Sequence, residues 1–178
     1  MSRLWKRLTN GIAIGGAVVL ALGMGCQAAG ARFNSTGSIP IGLYWMSNAP
    51  VTKGAYVLFC PPQAAAFEEA RARAYIGAGF CPGEYGYMMK RVSGVGGDTV
   101  AIDETGVWIN QVLSPLSAQL KADKAGRPMP RYHRGSFTLS DNEVLLMSDI
   151  SARSFDGRYF GPVRRSQIQG VIRPVFTW

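Results

Sequence analysis

The sequence predicts a mostly β domain with one short helix, set behind a hydrophobic N-terminal helix. Three observations predict it. Glycine is frequent, 22 of 178 residues, and 10 prolines join it, a composition of many turns and short strands. The apolar residues of the body fall in short runs bounded by Gly, Pro, Asn or Asp. Residues 11–26 carry no charged side chain at all. The chain has room for one domain and an appendage. It divides at residue 31, with 1–31 an export signal or membrane anchor and 32–178 an exported domain.

The appendage comes first. After Gln27 the apolar run that began at Gly11 continues from Ala28 to Ala31. Gly11–Ala31 as a helix spans roughly 30 Å at ~1.5 Å per residue, about the thickness of a bilayer's hydrocarbon core. Arg3, Lys6 and Arg7 precede it, and the positive-inside bias then leaves the N-terminus in the cytoplasm and the body outside. The five glycines from Gly11 to Gly25 weaken the helix without overturning it. A basic start, an apolar middle and Ala29-Gly30-Ala31 also fit a cleaved signal peptide. The residues leave anchor and cleaved signal open. Gly23 argues against a lipid-modified Cys26. Every version exports the body.

Charge and cysteines narrow the chemistry. The net charge is +8, from 19 basic and 11 acidic residues. Three basic residues precede the apolar segment, so the body's surplus is modest and reads as a solvated surface. No stripe of Lys or Arg interleaved with aromatics appears, nor any helix-turn-helix or zinc-finger spacing, so nucleic acid is not an expected partner. Of the 3 cysteines, Cys26 lies in the apolar segment. That leaves Cys60 and Cys81 either as a disulfide in an oxidising compartment or as two separate thiols. No Cys/His spacing suggests a metal, and no cofactor is expected.

Along the body, Gly42–Met46 reads as a short strand. Lys53-Gly54 is a turn, and Ala55–Cys60 a second strand stopped by Pro61-Pro62. Gln63–Ile76, rich in Ala, Glu and Arg, is the one helix, starting just past the prolines and ended by Gly77-Ala78-Gly79. Tyr85–Ser93 is strand-like, and Val95–Asp98 a turn. Thr99–Asp103 and Val107–Asn110 form a hairpin around Glu104-Thr105-Gly106. Leu113–Arg134 is an irregular excursion. Gly135–Leu139 and Glu143–Met147 are strands, Ser148–Pro162 is a loop, and Gln169–Phe176 closes the fold.

Without metal or cofactor, a hydrolase needs a nucleophile, a base and an oxyanion cradle. Ser38 is the best nucleophile. Gly37 lets a substrate backbone approach, and Pro40 biases Ile39 toward an extended conformation. His133 is a poor base, because Arg131 and Arg134 oppose its protonation. Lys90 is better. Met88, Lys90 and Val92 share one strand face, with Met89, Arg91 and Ser93 on the other. A lysine titrates near 10.4 in water, and burial among methyl groups lowers that by disfavouring the ammonium. An outward-snorkelling lysine is the competing reading. In Ser151–Pro162, Asp156 and Arg158 flank Gly157 as a turn-stabilising ion pair, and Ser154 offers a hydroxyl to orient the Lys90 amine.

Together these stretches resemble the signal peptidase I superfamily in order and spacing. Gly37-Ser38-Ile39-Pro40 is similar to the nucleophile box, and Lys53–Phe59 (KGAYVLF) to the strand box after it. Met88–Asp98 (MMKRVSGVGGD) resembles the lysine box, and Ser154–Gly161 (SFDGRYFG) the final box. One residue, not two, separates Ser38 from Pro40. The pattern from Asn34 through Thr36, Ser38, Pro40 and Gly42 to Tyr44 resembles the TraF-type branch of conjugative plasmid transfer. The insertion bearing FCPP and FCPGEYG resembles that branch too. Met147-Ser148-Asp149 departs from the family's usual opening of the final loop.

The resemblance implies the signal peptidase I/LexA-like β-fold with one short helical insertion, and a serine endopeptidase with a Ser38–Lys90 dyad. It implies an oxyanion held by the Ser38 N–H and the Thr36 hydroxyl, with Ser154 orienting Lys90 and Asp156 and Arg158 holding the loop. Its implied partners are a pilin precursor, the inner membrane and conjugative type IV secretion components. The implied place is the periplasmic face of the inner membrane, with Ile39, Ile41 and Leu43 dipping toward lipid. The implied reaction is maturation of the pilin precursor, in some systems with its cyclisation. A general signal peptidase I and a non-enzymatic component of the secretion apparatus are the alternatives. A self-cleaving regulator is disfavoured by the export segment.

Overall fold

A computed structural model describes residues 3–178, apart from the side chains of Arg3, Leu4 and Lys6, so the side chains of two members of the basic start are not among those described. The elements run in chain order α1 (Arg3–Ala28), β1 (Ala31–Asn34), β2 (Gly42–Ser47), β3 (Tyr56–Phe59), α2 (Ala65–Ala72), β4 (Ala78–Cys81), β5 (Met88–Val95), β6 (Thr99–Ile102), β7 (Val107–Ile109), β8 (Val112–Leu113), β9 (Arg134–Thr138), β10 (Glu143–Met147), α3 (Gly157–Phe160), β11 (Val163–Arg164) and β12 (Ile168–Thr177). The mostly β class is as the sequence predicts.

Within α1, Arg7–Ala28 is 22 residues of mean hydropathy 1.7, long and apolar enough to cross a membrane, and none of it is buried against the body. The helix stops at Ala28, short of the predicted Ala31. Gly30 takes φ +108°, a conformation that glycine reaches without strain, and Ala31 opens β1. The first strand therefore follows the apolar helix after a two-residue turn.

Seven strands form one sheet in the order β1-β2-β12-β3-β5-β10-β11, and four form a second in the order β8-β7-β6-β9. The strand pairs are antiparallel. The main core packs Val57 and Phe59 of β3, Val92 of β5 and Leu146 of β10 against Phe67 of α2 and Phe160 of α3. Each such side chain stabilises the fold by ~1.5–3 kcal/mol when fully buried. A smaller cluster joins Val100, Ile102 and Val107 of the second sheet to Leu145 and Met147 of β10. In this way β10 is shared between the two cores.

Three differences from the expected elements have local causes. The predicted helix 63–76 shortens to α2, because Ala74 takes φ +60° and turns the chain. The following AGFC stretch becomes β4, which bridges to Tyr85. The predicted loop 148–162 contains α3, a single turn capped by the Asp156 side chain, which accepts from the Arg158 N–H.

Cys60 and Cys81 form a disulfide with a Cα–Cα distance of 5.4 Å. It closes a loop of sequence separation 21 around α2, for which cross-linking stabilises by ~3 kcal/mol. A Cys60→Ser/Cys81→Ser chain is expected to lose about that much stability in guanidinium unfolding and to become sensitive to protease within α2. Equal stability of the oxidised and reduced wild-type chain contradicts this.

The loop between β1 and β2 corrects one expectation. Ile39 does not dip toward lipid: it is fully buried, packed with Tyr44, Leu58 and Ile172. Ile41 and Leu43 are only half-buried. The loop turns Ile39 inward as an anchor, and its neighbour Ser38 is left at the surface of the domain.

Candidate active site

Three segments distant in sequence converge on Ser38. The β1–β2 loop carries Ser38, half-buried and facing an open cleft. Strand β5 alternates buried and half-buried residues, and Lys90 falls on its buried row, 2% exposed. The loop after β10 supplies Ser154, 6% exposed. Lys90 Nζ donates to Ser38 Oγ at 2.6 Å and to Ser154 Oγ at 2.9 Å. Ser154 Oγ in turn donates to Ser38 Oγ at 3.2 Å. When the amine is neutral, its lone pair can take the Ser38 hydroxyl proton along the same 2.6 Å line.

Burial weakens the amine's hold on its proton. Burial lowers the Lys90 pKa from 10.5 to about 8, opposed by the Asp156 charge and assisted by that of Arg158. The desolvation of the ammonium is the dominant cause. At 2% exposure the lysine does not snorkel outward, and the fraction of uncharged amine becomes substantial only as pH climbs through about 8.

Asp156 and Arg158 form a fully buried ion pair behind this group, each 0% exposed. Arg158 Nε and Nη2 donate to the two carboxylate oxygens at 2.8 and 2.9 Å. The remaining guanidinium protons go to the carbonyls of Ala152 (2.9 Å), Ser151 (3.3 Å) and Ala118 (3.3 Å). Asp156 also accepts from the Ser148 N–H at 3.0 Å. This network fastens both ends of the 148–156 loop, which is what places Ser154 beside Lys90. The unusual Met147-Ser148-Asp149 opening is accommodated: the Ser148 hydroxyl accepts from the Ser151 N–H at 3.0 Å, and Asp149 pairs with Arg91 at 3.0 Å.

Thr36 lies beside Ser38 along the cleft. Its hydroxyl donates to Asn34 Oδ1 at 2.8 Å, so in the free protein this O–H is already engaged. His133 is exposed on the surface, with Nε2 3.2 Å from Gln119 Oε1, and lines no part of the cleft.

The cleft has a volume of about 970 Å³. Its far wall was not legible in the sequence. Tyr75, just past α2, donates to Asp123 at 2.6 Å, and Arg127 pairs with the same carboxylate at 2.7 Å. This contact latches the disulfide-pinned insertion to the 113–134 excursion. The partners are separated by an aperiodic segment, so no sequence pattern links them. Asn34 was also missed as a structural centre, although an Asn two residues before a Thr is an Asx-turn signal.

Comparison with known proteins adds four observations. The model of the family described as signal peptidase, peptidase S26, matches residues 7–178. The chain is 64% identical over its whole length to the whole of a plasmid transfer protein TraF of Escherichia coli. It is 35% identical to a conjugal transfer protein TraF of Agrobacterium fabrum strain C58, over 94% of this chain and 92% of that one. A signal peptidase I V of Bacillus subtilis strain 168 is 32% identical over 48% of this chain and 55% of its own length.

Proposed function

The chain belongs to the signal peptidase family, peptidase S26, in its TraF-type branch, and from that premise we propose that it is the serine endopeptidase that matures a pilin precursor for conjugative plasmid transfer. It is a peptidase with a signal-peptidase-like role in conjugation. The observation that carries the finer reading is the contact of a buried Lys90 amine with Ser38 Oγ at 2.6 Å.

The chemistry proceeds in two halves. Ser38 Oγ attacks the scissile carbonyl carbon while its proton passes to Lys90 Nζ. The resulting oxyanion is held by the Ser38 N–H and by the Thr36 hydroxyl, once that O–H rotates off Asn34 Oδ1. Lys90 then gives its proton to the departing amine as the C–N bond breaks, leaving an ester on Ser38. In the second half Lys90 takes a proton from the attacking group and returns it to Ser38 Oγ as the ester bond breaks. If water attacks, the product is a linear pilin. If the pilin's own N-terminal amine attacks, the product is a cyclic pilin. Ser154 orients the amine throughout, and Asp156 with Arg158 keeps Ser154 in place. A general base and a positioned oxyanion donor are each worth ~10²–10⁴ in rate.

The location follows from the same reading. Residues 1–31 are the export signal or anchor, and 32–178 the periplasmic domain at the outer face of the inner membrane. The continuity of α1 with β1, and of β1 with the Ser38 loop, supports a nucleophile held close to where a precursor leaves the bilayer. A substrate strand beside the exposed edge of β1, the first strand of the larger sheet, suits an extended peptide with small residues at alternate positions before the cut.

Mass spectrometry of the pilin in mating cells tests this. The wild-type chain is expected to yield a mature product, a cyclic pilin being lighter than the linear one by one water. Ser38→Ala and Lys90→Ala are each expected to leave the precursor at full mass. Mature pilin in both variants sinks the enzyme reading and favours a non-enzymatic component of the secretion apparatus. Equally fast processing of unrelated exported preproteins points to a general signal peptidase.

A further inference from the structure

The Ser38 loop, residues 35–41, has no strand ladder of its own. Its ends are joined where Asn34 pairs with Gly42 in the β1–β2 register. Inside it lies one polar side chain, Asn34, 3% exposed. Asn34 Nδ2 donates to the carbonyls of Thr36 at 2.8 Å, Ile39 at 2.9 Å and Pro40 at 3.1 Å. The amide has two hydrogens, so one is shared between two of these acceptors. Asn34 Oδ1 accepts from the Thr36 N–H at 3.1 Å and from the Thr36 hydroxyl at 2.8 Å. The residues so held stand on both sides of Gly37-Ser38.

We infer that Asn34 is the positioning residue of the nucleophile: its side chain, in place of a strand ladder, fixes the path of the backbone that presents the Ser38 hydroxyl and N–H. The inference rests on the reading of Ser38 as nucleophile. Asn34 makes none of these bonds to Ser38 itself, so it acts through the loop. The chemistry needs an amide. Asp keeps the acceptor for Thr36 but loses both donors and sets a negative charge against three carbonyl oxygens. Ala leaves the buried Ile39 carbonyl without its donor, where an unpaired polar group is costly, and frees Thr36 from the contacts that tie it to the base of the loop. Leu fills the space and makes no bond. Thr36 gains a second property from this arrangement, because its hydroxyl donates to Asn34 Oδ1 until an oxyanion attracts that hydrogen bond.

The test uses the full-length chain in detergent with purified pilin precursor. Asn34→Asp and Asn34→Ala are expected to lower kcat by about 10²-fold, the size of effect that a displacement near 1 Å produces. KM is expected to stay within about threefold, because Tyr75, Asp123 and Phe155 of the cleft are untouched and ground-state binding is preserved. The pH midpoint of kcat/KM for Asn34→Ala is expected to match wild type, since Lys90 is held by β5 and Ser154. A folded variant with wild-type kcat, or one with raised KM and unchanged kcat, overturns the inference. If neither variant folds, hydrogen exchange of the wild-type Asn34 side-chain amide decides: slow exchange supports the role and exchange at the rate of a free amide overturns it. Ser38→Ala runs alongside. An active Ser38→Ala sinks the nucleophile assignment itself, whereas an inactive Ser38→Ala beside fully active Asn34 variants sinks only the positioning role.

Discussion

Lys90→Met is expected to abolish pilin processing while making the chain more stable at neutral pH. The expected loss of activity is that of the proposed general base, ~10²–10⁴ in rate. The gain in stability has an electrostatic origin. In the unfolded chain Lys90 titrates near 10.5, and in the fold at about 8. Below about 8 both states hold the proton, and the fold bears the full cost of a buried ammonium. The gap corresponds to ~3 kcal/mol. Methionine matches the lysine stem in length and carries no charge. It leaves the Ser154 hydroxyl short of one partner, at a cost of ~1 kcal/mol, so a net gain of about 2 kcal/mol remains at pH 7. Between about 8 and 10.5 the unfolded state holds a proton that the wild-type fold has released, so wild-type stability rises with pH across that window. The advantage of the variant then disappears. Guanidinium unfolding of both chains at pH 7 and above pH 10 reads this directly. A variant less stable than wild type at pH 7 contradicts it.

Asp156→Ala is expected to have the largest destabilising effect of any single polar change at the site. Removing the carboxylate leaves the Arg158 guanidinium, 0% exposed, without its counter-charge, a loss of ~3–5 kcal/mol. The Ser148 and Arg158 N–H groups lose their acceptor as well. Because Arg158 also ties the carbonyls of Ser151 and Ala152, the loop that carries Ser154 loosens and activity falls with stability. Asp156→Ala/Arg158→Met removes both charges and is expected to cost clearly less than the sum of the single changes, since neither is then left unpaired. Strict additivity in guanidinium unfolding contradicts the pairing as the cause.

The parts of this architecture that were legible in the sequence are those with a short period or a fixed spacing. Glu143–Met147, a run of apolar residues after a turn, is β10 with the predicted bounds, and the hairpin of β6 and β7 followed from Gly106 between two β-branched runs. The alternation that set Met88, Lys90 and Val92 on one face is the alternation of burial in β5. The spacing of the Ser38, Lys90 and Ser154 segments pointed to three residues that the fold does bring within 3.2 Å of one another. What escaped the sequence depends on tertiary direction. Ile39 was placed toward lipid, and only the curl of its loop turns it into the core. The one-turn helix α3 exists because Asp156 caps it and its four residues are buried, neither of which leaves a periodic trace. The Tyr75–Asp123 latch joins an insertion to an excursion, two segments with no pattern in common.

The central claim is that burial brings the Lys90 amine down to a pKa of about 8 beside the Ser38 hydroxyl. Its most direct test is an NMR titration of the Lys90 ε-methylene in the full-length protein, assigned by comparison with Lys90→Met. The account predicts a midpoint at about 8. A midpoint at the ordinary lysine value of 10.5 contradicts it, because the amine would then be a charged surface group unable to take the serine proton.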